Sequence, residues 1–211
     1  MQQLKLITDE LKIVPRLVCE VGVGESKESS QVTEFIEAGA SAILIEALPR
    51  FCQKLAADFA AYPRVKIVNC AILDRNGSVT IYDRALSTFV EGIESPNVVN
   101  ERYTPNPSDA LVVPARTFEH FDEGNIDVLA IDAEGCEYYV LAKLQSRPAL
   151  ICLETMGMAE WGHPYVNPKL REICDWMESN RYVQVAKVGP DTLFLSRQIL
   201  NLQVLPASQT S

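Results

Sequence analysis

The sequence predicts a doubly wound α/β fold, and three observations predict it. Short apolar runs alternate with helix-period segments from residue 17 to residue 68. The same alternation returns between residues 128 and 177. Between them lies a different pattern, a strand-like alternation followed by a long polar stretch. Alternating strand and helix implies right-handed crossovers and a mostly parallel sheet covered on both faces.

Leu17-Val-Cys-Glu-Val21 is an apolar run met at once by glycines, which suggests a buried strand. Ser29 and Ser30 then stand as N-caps before a helix with Val32, Phe35 and Ile36 on one face, stopped by Gly39. Ala42–Ile45 is the second strand. Pro49 opens a helix carrying Phe51, Leu55 and Phe59, and Val65–Val68 is the third strand. Asn76-Gly77 signals a turn into Val79–Tyr82, which Leu111–Val113 can pair with as a small inserted hairpin. Residues 83–110 lack periodicity, and a loop of that length reads as a lid, a binding loop or disorder.

Val128–Ile131 begins the second half, followed by a helix with Val140, Leu141 and Leu144 and a strand at Ala149–Leu153. Pro168 opens a helix with Leu170, Ile173, Trp176 and Met177. Tyr182–Val188 and Thr192–Leu195 close the fold as an antiparallel hairpin around Gly189-Pro190-Asp191. We expect one domain over residues 1–199 and a tail over 200–211.

Composition narrows the partners. The chain has 211 residues, 47% hydrophobic and 22% charged, with a net charge of −9. That balance disfavours nucleic acid and anionic membrane surfaces, which need clustered Lys and Arg. No apolar run suits a membrane span, and charges at Lys5, Asp9 and Glu10 break any signal-peptide pattern. The six cysteines form no Cys-x-x-Cys pair, so buried free thiols in the cytoplasm are expected. A small-molecule partner is left, and a homodimer stays open.

In open α/β sheets the ligand lies beyond the carboxyl ends of the strands. Those ends carry Glu20-Val-Gly-Val-Gly24, Glu46, Asn69-Cys-Ala71, Asp132 with Glu134, and Glu154. The glycines permit a tight turn, and Glu46 stands where a carboxylate accepts hydrogen bonds from ribose hydroxyls. A dinucleotide would set its pyrophosphate on the turn, but the third glycine of that fingerprint is missing and position 27 is Lys27. Glu20, Glu25 and Glu28 flank the turn, with Lys27 the only nearby cation. Such a rim opposes phosphate and favours a cationic nucleoside, S-adenosylmethionine over NAD.

Five segments then resemble the FkbM family of class I S-adenosylmethionine-dependent methyltransferases, from about Leu17 to Leu195. They are Glu-Val-Gly-Val-Gly at 20–24, Ile45–Pro49, Asn69–Gly77, Ile131-Asp-Ala-Glu-Gly-Cys-Glu137 and Asp191–Phe194. The fourth, Asp-x-Glu-Gly-x-Glu after a buried strand, is the most specific. The resemblance implies a Rossmann-like fold in which Glu20, Val21, Gly22 and Gly24 hold the methionine end of the cofactor. It also implies that Glu46 and Ala47 serve the ribose, that Cys70 and Ala71 border the adenine, and that Asp132 lies beside the transfer centre. Hydroxyl groups of sugars and other secondary metabolites are the family's usual acceptors. The chain departs from the family pattern at Glu20, Gly24, Ser26 and Ala130.

A hydroxyl acceptor benefits from a base, and His163 or Asp132 is placed to act as one. Trp161, Tyr165, Met156 and Met158 could line the acceptor site. No metal is expected, although Asp132, Glu134, Glu154 and His163 could converge on one. Two alternatives stay open: a cofactor-binding domain without catalysis that serves as an assembly partner, and an NAD(P)-dependent oxidoreductase.

Overall fold

Seven strands form the main sheet of the computed structural model, which describes residues 2–95, 98–99, 102–155 and 166–203. The strands are β1 (Leu17–Val21), β2 (Ser41–Glu46), β3 (Val65–Asn69), β8 (Val128–Ile131), β9 (Leu150–Glu154), β10 (Tyr182–Val188) and β11 (Asp191–Ser196). Across the sheet their order is β10-β11-β9-β8-β1-β2-β3; β3, β2, β1, β8 and β9 pair in parallel, and β11 runs antiparallel between β9 and β10. The chain leaves β1 for β2 on one side and returns to β8 on the other, so the switch point falls at the carboxyl end of β1.

Both faces of the sheet are buried, because successive strand residues point to opposite sides. Cys19, Val21, Leu129, Ile131, Ile151 and Leu153 share one core with Phe118, Val140, Ile173 and Met177. Val18, Leu44, Val128, Ala130, Leu150 and Cys152 face a second core with Phe35, Leu55 and Leu193. Helix α3 (Pro49–Asp58) has Pro49 in its first turn and buries Phe51, Cys52 and Leu55. Helix α5 (Leu170–Ser179) buries Ile173 and Met177, one turn apart.

Some local expectations change. Helix α2 covers only Thr33–Glu37, and its N-cap Val32 makes no side-chain cap bond. Ser29 and Ser30 are not its caps; their hydroxyls bind the glycine turn and Glu20 instead. Helix α4 is one short piece, Glu137–Leu141. The N-terminal helix α1 (Gln2–Glu10) was not foreseen, because its apolar residues are too few for a clear period; Leu4 buries it against the second core. Helix α6 (Arg197–Gln203) runs through residue 200, where the sequence reading starts a tail.

The inserted hairpin is the centre of a second, four-stranded sheet. Strand β5 (Gly77–Tyr82) pairs antiparallel with β7 (Ala110–Arg116), Val79 opposite Val113 and Ile81 opposite Leu111. Strand β4 (Ala71–Ile72) joins one edge and β6 (Phe89–Val90) the other. Strand β6 falls inside the stretch read as aperiodic, since two residues are too few to show a period. Among the described residues, no helix is long and apolar enough to cross a membrane. The six cysteines are free thiols, all buried except Cys174.

Candidate active site

Gly22 and Gly24 turn the chain after β1 with φ of +80° and +81°. At Gly22 the space decides as well: a Cβ there would stand 1.7 Å from the Asp132 carbonyl oxygen. The ends of β1 and β8 therefore touch backbone to backbone, and no side chain can intervene. The Gly22 amide donates to the Ile45 carbonyl, and the Asp132 amide donates to Val21. Three neighbouring strand ends are locked together at the mouth of the sheet.

Glu46 ends β2 and is buried. Its Oε2 accepts from the Gly24 amide at 3.0 Å and its Oε1 from the Leu48 amide at 2.8 Å. Burial raises its pKa, and these amide bonds oppose the rise. Each carboxylate oxygen can accept more than one bond, so capacity is left toward the cavity. From β3, the Asn69 side chain donates to the carbonyls of Glu46 at 3.0 Å and Ala47 at 2.7 Å. That role was not read from the sequence, where Asn69 figured only as part of a motif.

These elements enclose a cavity of about 250 Å³. Val21, Gly22, Gly24, Glu46, Ala47, Cys70, Ala71 and Asp132 all line it. The structure thus brings together every residue expected to hold the cofactor except Glu20. The Glu20 carboxylate lies off the cavity, accepting from Ser30 Oγ at 2.6 Å and the Gln31 amide at 2.8 Å. Burial pushes its pKa up to about 8, against the lowering effect of those bonds. Glu20 braces the segment after the glycine turn and does not line the ligand space.

The charge pattern survives with a change of residues. Glu25 and Glu28 are exposed and absent from the lining, and Lys27 turns away to Glu37 and Tyr62. Among the described residues, the charged side chains that line the cavity are Glu46, Asp132 and Glu134, with no Lys, Arg or His. The roof comes from the insert: Ala85, Leu86, Thr88, Phe89 and Val90. Asp83 holds this segment to α3 through two bonds from Arg50, at 2.9 and 2.7 Å.

Asp132 opens the segment Asp132–Glu137, which turns sharply. Glu134 and Gly135 both have positive φ, +50° and +98°. A Cβ at Gly135 would stand 2.4 Å from the Glu94 carbonyl oxygen, so the insert packs directly on this turn. Glu137 closes it: Oε1 accepts from the amides of Ala133 at 3.0 Å and Gly135 at 3.1 Å, and Oε2 accepts from Asn167 Nδ2 at 2.6 Å. Here the motif's physical content appears, since the last Glu folds the loop that presents the first Asp.

Beyond Asp132, the strand ends carry further carboxylates. Glu154 pairs in register with Asp191 across β9 and β11, and β8 with Asp132 adjoins β9. Carboxylate oxygens of Asp132, Glu137 and Glu154 lie within 4.8 Å of one another. Burial and then the charges of Asp132, Glu137 and Asp191 push Glu154 up to about 9. Enclosure by the walls, followed by Asp191, Glu137 and Glu46, raises Asp132 too. Asp132 is exposed to the cavity, so water screens part of that push. His163, the other expected base, lies outside the described residues, as do Trp161, Tyr165, Met156 and Met158.

The methyltransferase FkbM domain model matches residues 20–183. No curated protein matches the chain significantly. Among solved structures, a proposed caffeoyl-CoA O-methyltransferase from Staphylococcus aureus superposes with a TM-score of 0.54 at 12% identity, over 92% of this chain and 82% of that one. Cofactor-bound Rv0187 from MTB superposes with a TM-score of 0.50 at 16% identity, over 93% of this chain and 80% of that one. These likenesses match the fold: a mainly parallel sheet with an antiparallel C-terminal strand. The family model covers most of the sequence, both glycine turns and the Asp132–Glu137 segment, and on that match the chain belongs to the FkbM methyltransferase family, with S-adenosylmethionine as its cofactor.

Proposed function

We propose that this protein transfers a methyl group from S-adenosylmethionine to a hydroxyl of a sugar or another small metabolite. The observation that carries the cofactor's mode of binding is the lining: three carboxylates and, among the described residues, no basic side chain. A ligand with a sulfonium and an ammonium gains from such walls, and a pyrophosphate loses. That lining fits the cofactor and disfavours the NAD(P)-dependent alternative.

Glu46 would take the ribose hydroxyls, since its oxygens are oriented by two backbone amides and retain accepting capacity. Val21, Gly22 and Gly24 supply backbone for the methionine end, and Cys70 and Ala71 an apolar wall for the adenine. Glu20 contributes at one remove by bracing the turn. When bound, the sulfonium supplies an already activated methyl carbon. An acceptor hydroxyl would take that methyl group and give up its proton to a base of the chain. The protein's main work is then to align two reactants and keep competing water out. Asp132, placed on the cavity at the end of β8, receives the acceptor hydroxyl; His163 is retained as the candidate proton acceptor. The insert segment Ala85–Val90 roofs the cavity as a lid. Six free thiols suit a reducing cytoplasm.

The test is formation of S-adenosylhomocysteine with a panel of hydroxylated acceptors, alongside calorimetric titration of that product and of NAD. We expect binding of the sulfur nucleoside, none of NAD, and turnover with at least one polyol or phenol. Tight binding with no turnover on any acceptor would favour the non-catalytic assembly-partner reading.

A further inference from the structure

We infer that Asp132, Glu137 and Glu154 hold a hard divalent cation, Mg²⁺ or Mn²⁺, at the acceptor side of the cavity. Three side chains from three separate elements bring their oxygens within 4.8 Å of one another. Ligand oxygens at 2.0–2.6 Å from one ion are at most about 4–5 Å apart, so a single cation can reach all three. Oxygen-only ligands of this charge select Mg²⁺ or Mn²⁺ over zinc or copper.

A second observation, independent of that proximity, points the same way. Glu154 is only 8% exposed, and no donor among the described residues bonds its carboxylate. Its strand neighbour across the β9–β11 pair is another carboxylate, Asp191. Buried carboxylates are ordinarily paired or hydrogen-bonded. No Lys, Arg or His of the described residues forms an ion pair with Asp132, Glu137 or Glu154. A cation satisfies Glu154 where the described residues do not.

The three ligands have unequal shares. Glu137 already accepts two amides and the Asn167 side chain, which fix its orientation and leave one position on Oε2. Glu154 and Asp132 carry most of the binding. Three protein ligands leave a six-coordinate ion with open positions, and Asp132 borders both the cluster and the cofactor cavity. An acceptor bearing two adjacent oxygens, such as a vicinal diol, would fill two of those positions with one oxygen facing the methyl donor. The cation site stands on its own geometry; only this role for the ion rests on the methyltransferase reading.

The experiment uses the full chain, stripped with a chelator and titrated with Mn²⁺ under electron paramagnetic resonance, and then with S-adenosylhomocysteine by calorimetry. We expect one Mn²⁺ per chain, binding weakened at least tenfold in Glu154→Gln and in Asp132→Asn, and nucleoside binding unchanged in Glu154→Gln. Absence of saturable Mn²⁺ binding in the wild-type chain overturns the site, as does equal binding by wild type and Glu154→Gln. Should a variant fail to fold, the wild-type titration and a Mn²⁺-dependent rise in its unfolding temperature decide the matter. The two readings fail separately. Nucleoside binding without Mn²⁺ sinks only the cation site, and Mn²⁺ binding without nucleoside sinks only the cofactor reading.

Discussion

The carboxyl edge of the sheet carries acidic residues on both sides of its switch point, and the two sides treat them in opposite ways. On the β1–β2 side, Glu20 and Glu46 are buried and each is bonded by donors: Ser30 and Gln31 for the first, Gly24 and Leu48 for the second. On the β8–β9–β11 side, Glu137 is held by Ala133, Gly135 and Asn167, but Glu154 faces Asp132, Glu137 and Asp191, and among the described residues no donor reaches it. Carboxylates satisfied by backbone amides fix the shape of a loop. Carboxylates left facing one another keep their accepting capacity for something that binds. The first side is pre-built for a ligand of constant shape, and the second awaits one whose oxygens or charge complete it.

The largest effect should come from the joint between the two sides. Gly22→Ala places a methyl group where the Asp132 carbonyl oxygen stands and asks alanine to adopt a φ of +80°. Left-handed strain and the overlap together cost about 4 kcal/mol or more. Chemical denaturation should show a variant near or below the limit of folding, with no nucleoside binding. A variant of wild-type stability would mean that the two strand ends are not in backbone contact, and the comparison would lose its hinge.

How much of this was legible depended on range along the chain. Strand β1, with its glycine turn, is a local signal, and Leu17–Val21 is found where the apolar run lies. Glu46 and Asp132 could be placed because strand ends are local too. The Glu20 reading stopped short for a physical reason. An acidic residue beside a glycine turn looks the same in sequence whether it faces the ligand or the following helix, and strand alternation sends its side chain away from the cavity. The pairing of β6 with β5, the closure of the Asp132 turn by Glu137, and the hold of Asn69 on the Glu46 and Ala47 carbonyls all join residues through tertiary contact. Asn167, the donor to Glu137, is thirty residues away. No periodicity reports such a bond.

A smaller effect, confined to a window of pH, should separate Glu20 from a ligand-facing carboxylate. Its folded pKa of about 8 lies above the usual 4.5 because burial penalises the charged form. The unfolded chain therefore loses this proton first as pH rises. Its contribution to stability is complete below about pH 4.5 and is lost progressively as pH climbs toward 8, on the order of a few kcal/mol in total. Glu20→Gln can still accept from Gln31 and can donate to Ser30. Its unfolding free energy should vary less between pH 5 and 8 than that of the wild type, by that amount. Equal slopes in both proteins would show that Glu20 is ionised in the folded state and that its burial carries no titration.

The smallest effects carry the contrast itself, because they should differ in sign. In Glu46→Gln, an amide NH₂ must face either the Gly24 or the Leu48 N–H, so one of two oriented bonds becomes donor against donor. The loss of about 1–2 kcal/mol should appear as roughly tenfold weaker S-adenosylhomocysteine binding and a lower unfolding temperature. In Glu154→Gln, the same change removes one acid group from a crowded, buried cluster and breaks no bond among the described residues. Without metal, that variant should be more stable than the wild type by about 1 kcal/mol. Saturating Mn²⁺ should reverse the order, since the ion stabilises only the chain that binds it. If both substitutions destabilise the metal-free protein alike, Glu154 is as well satisfied as Glu46, and the acceptor side is as fully built as the cofactor side.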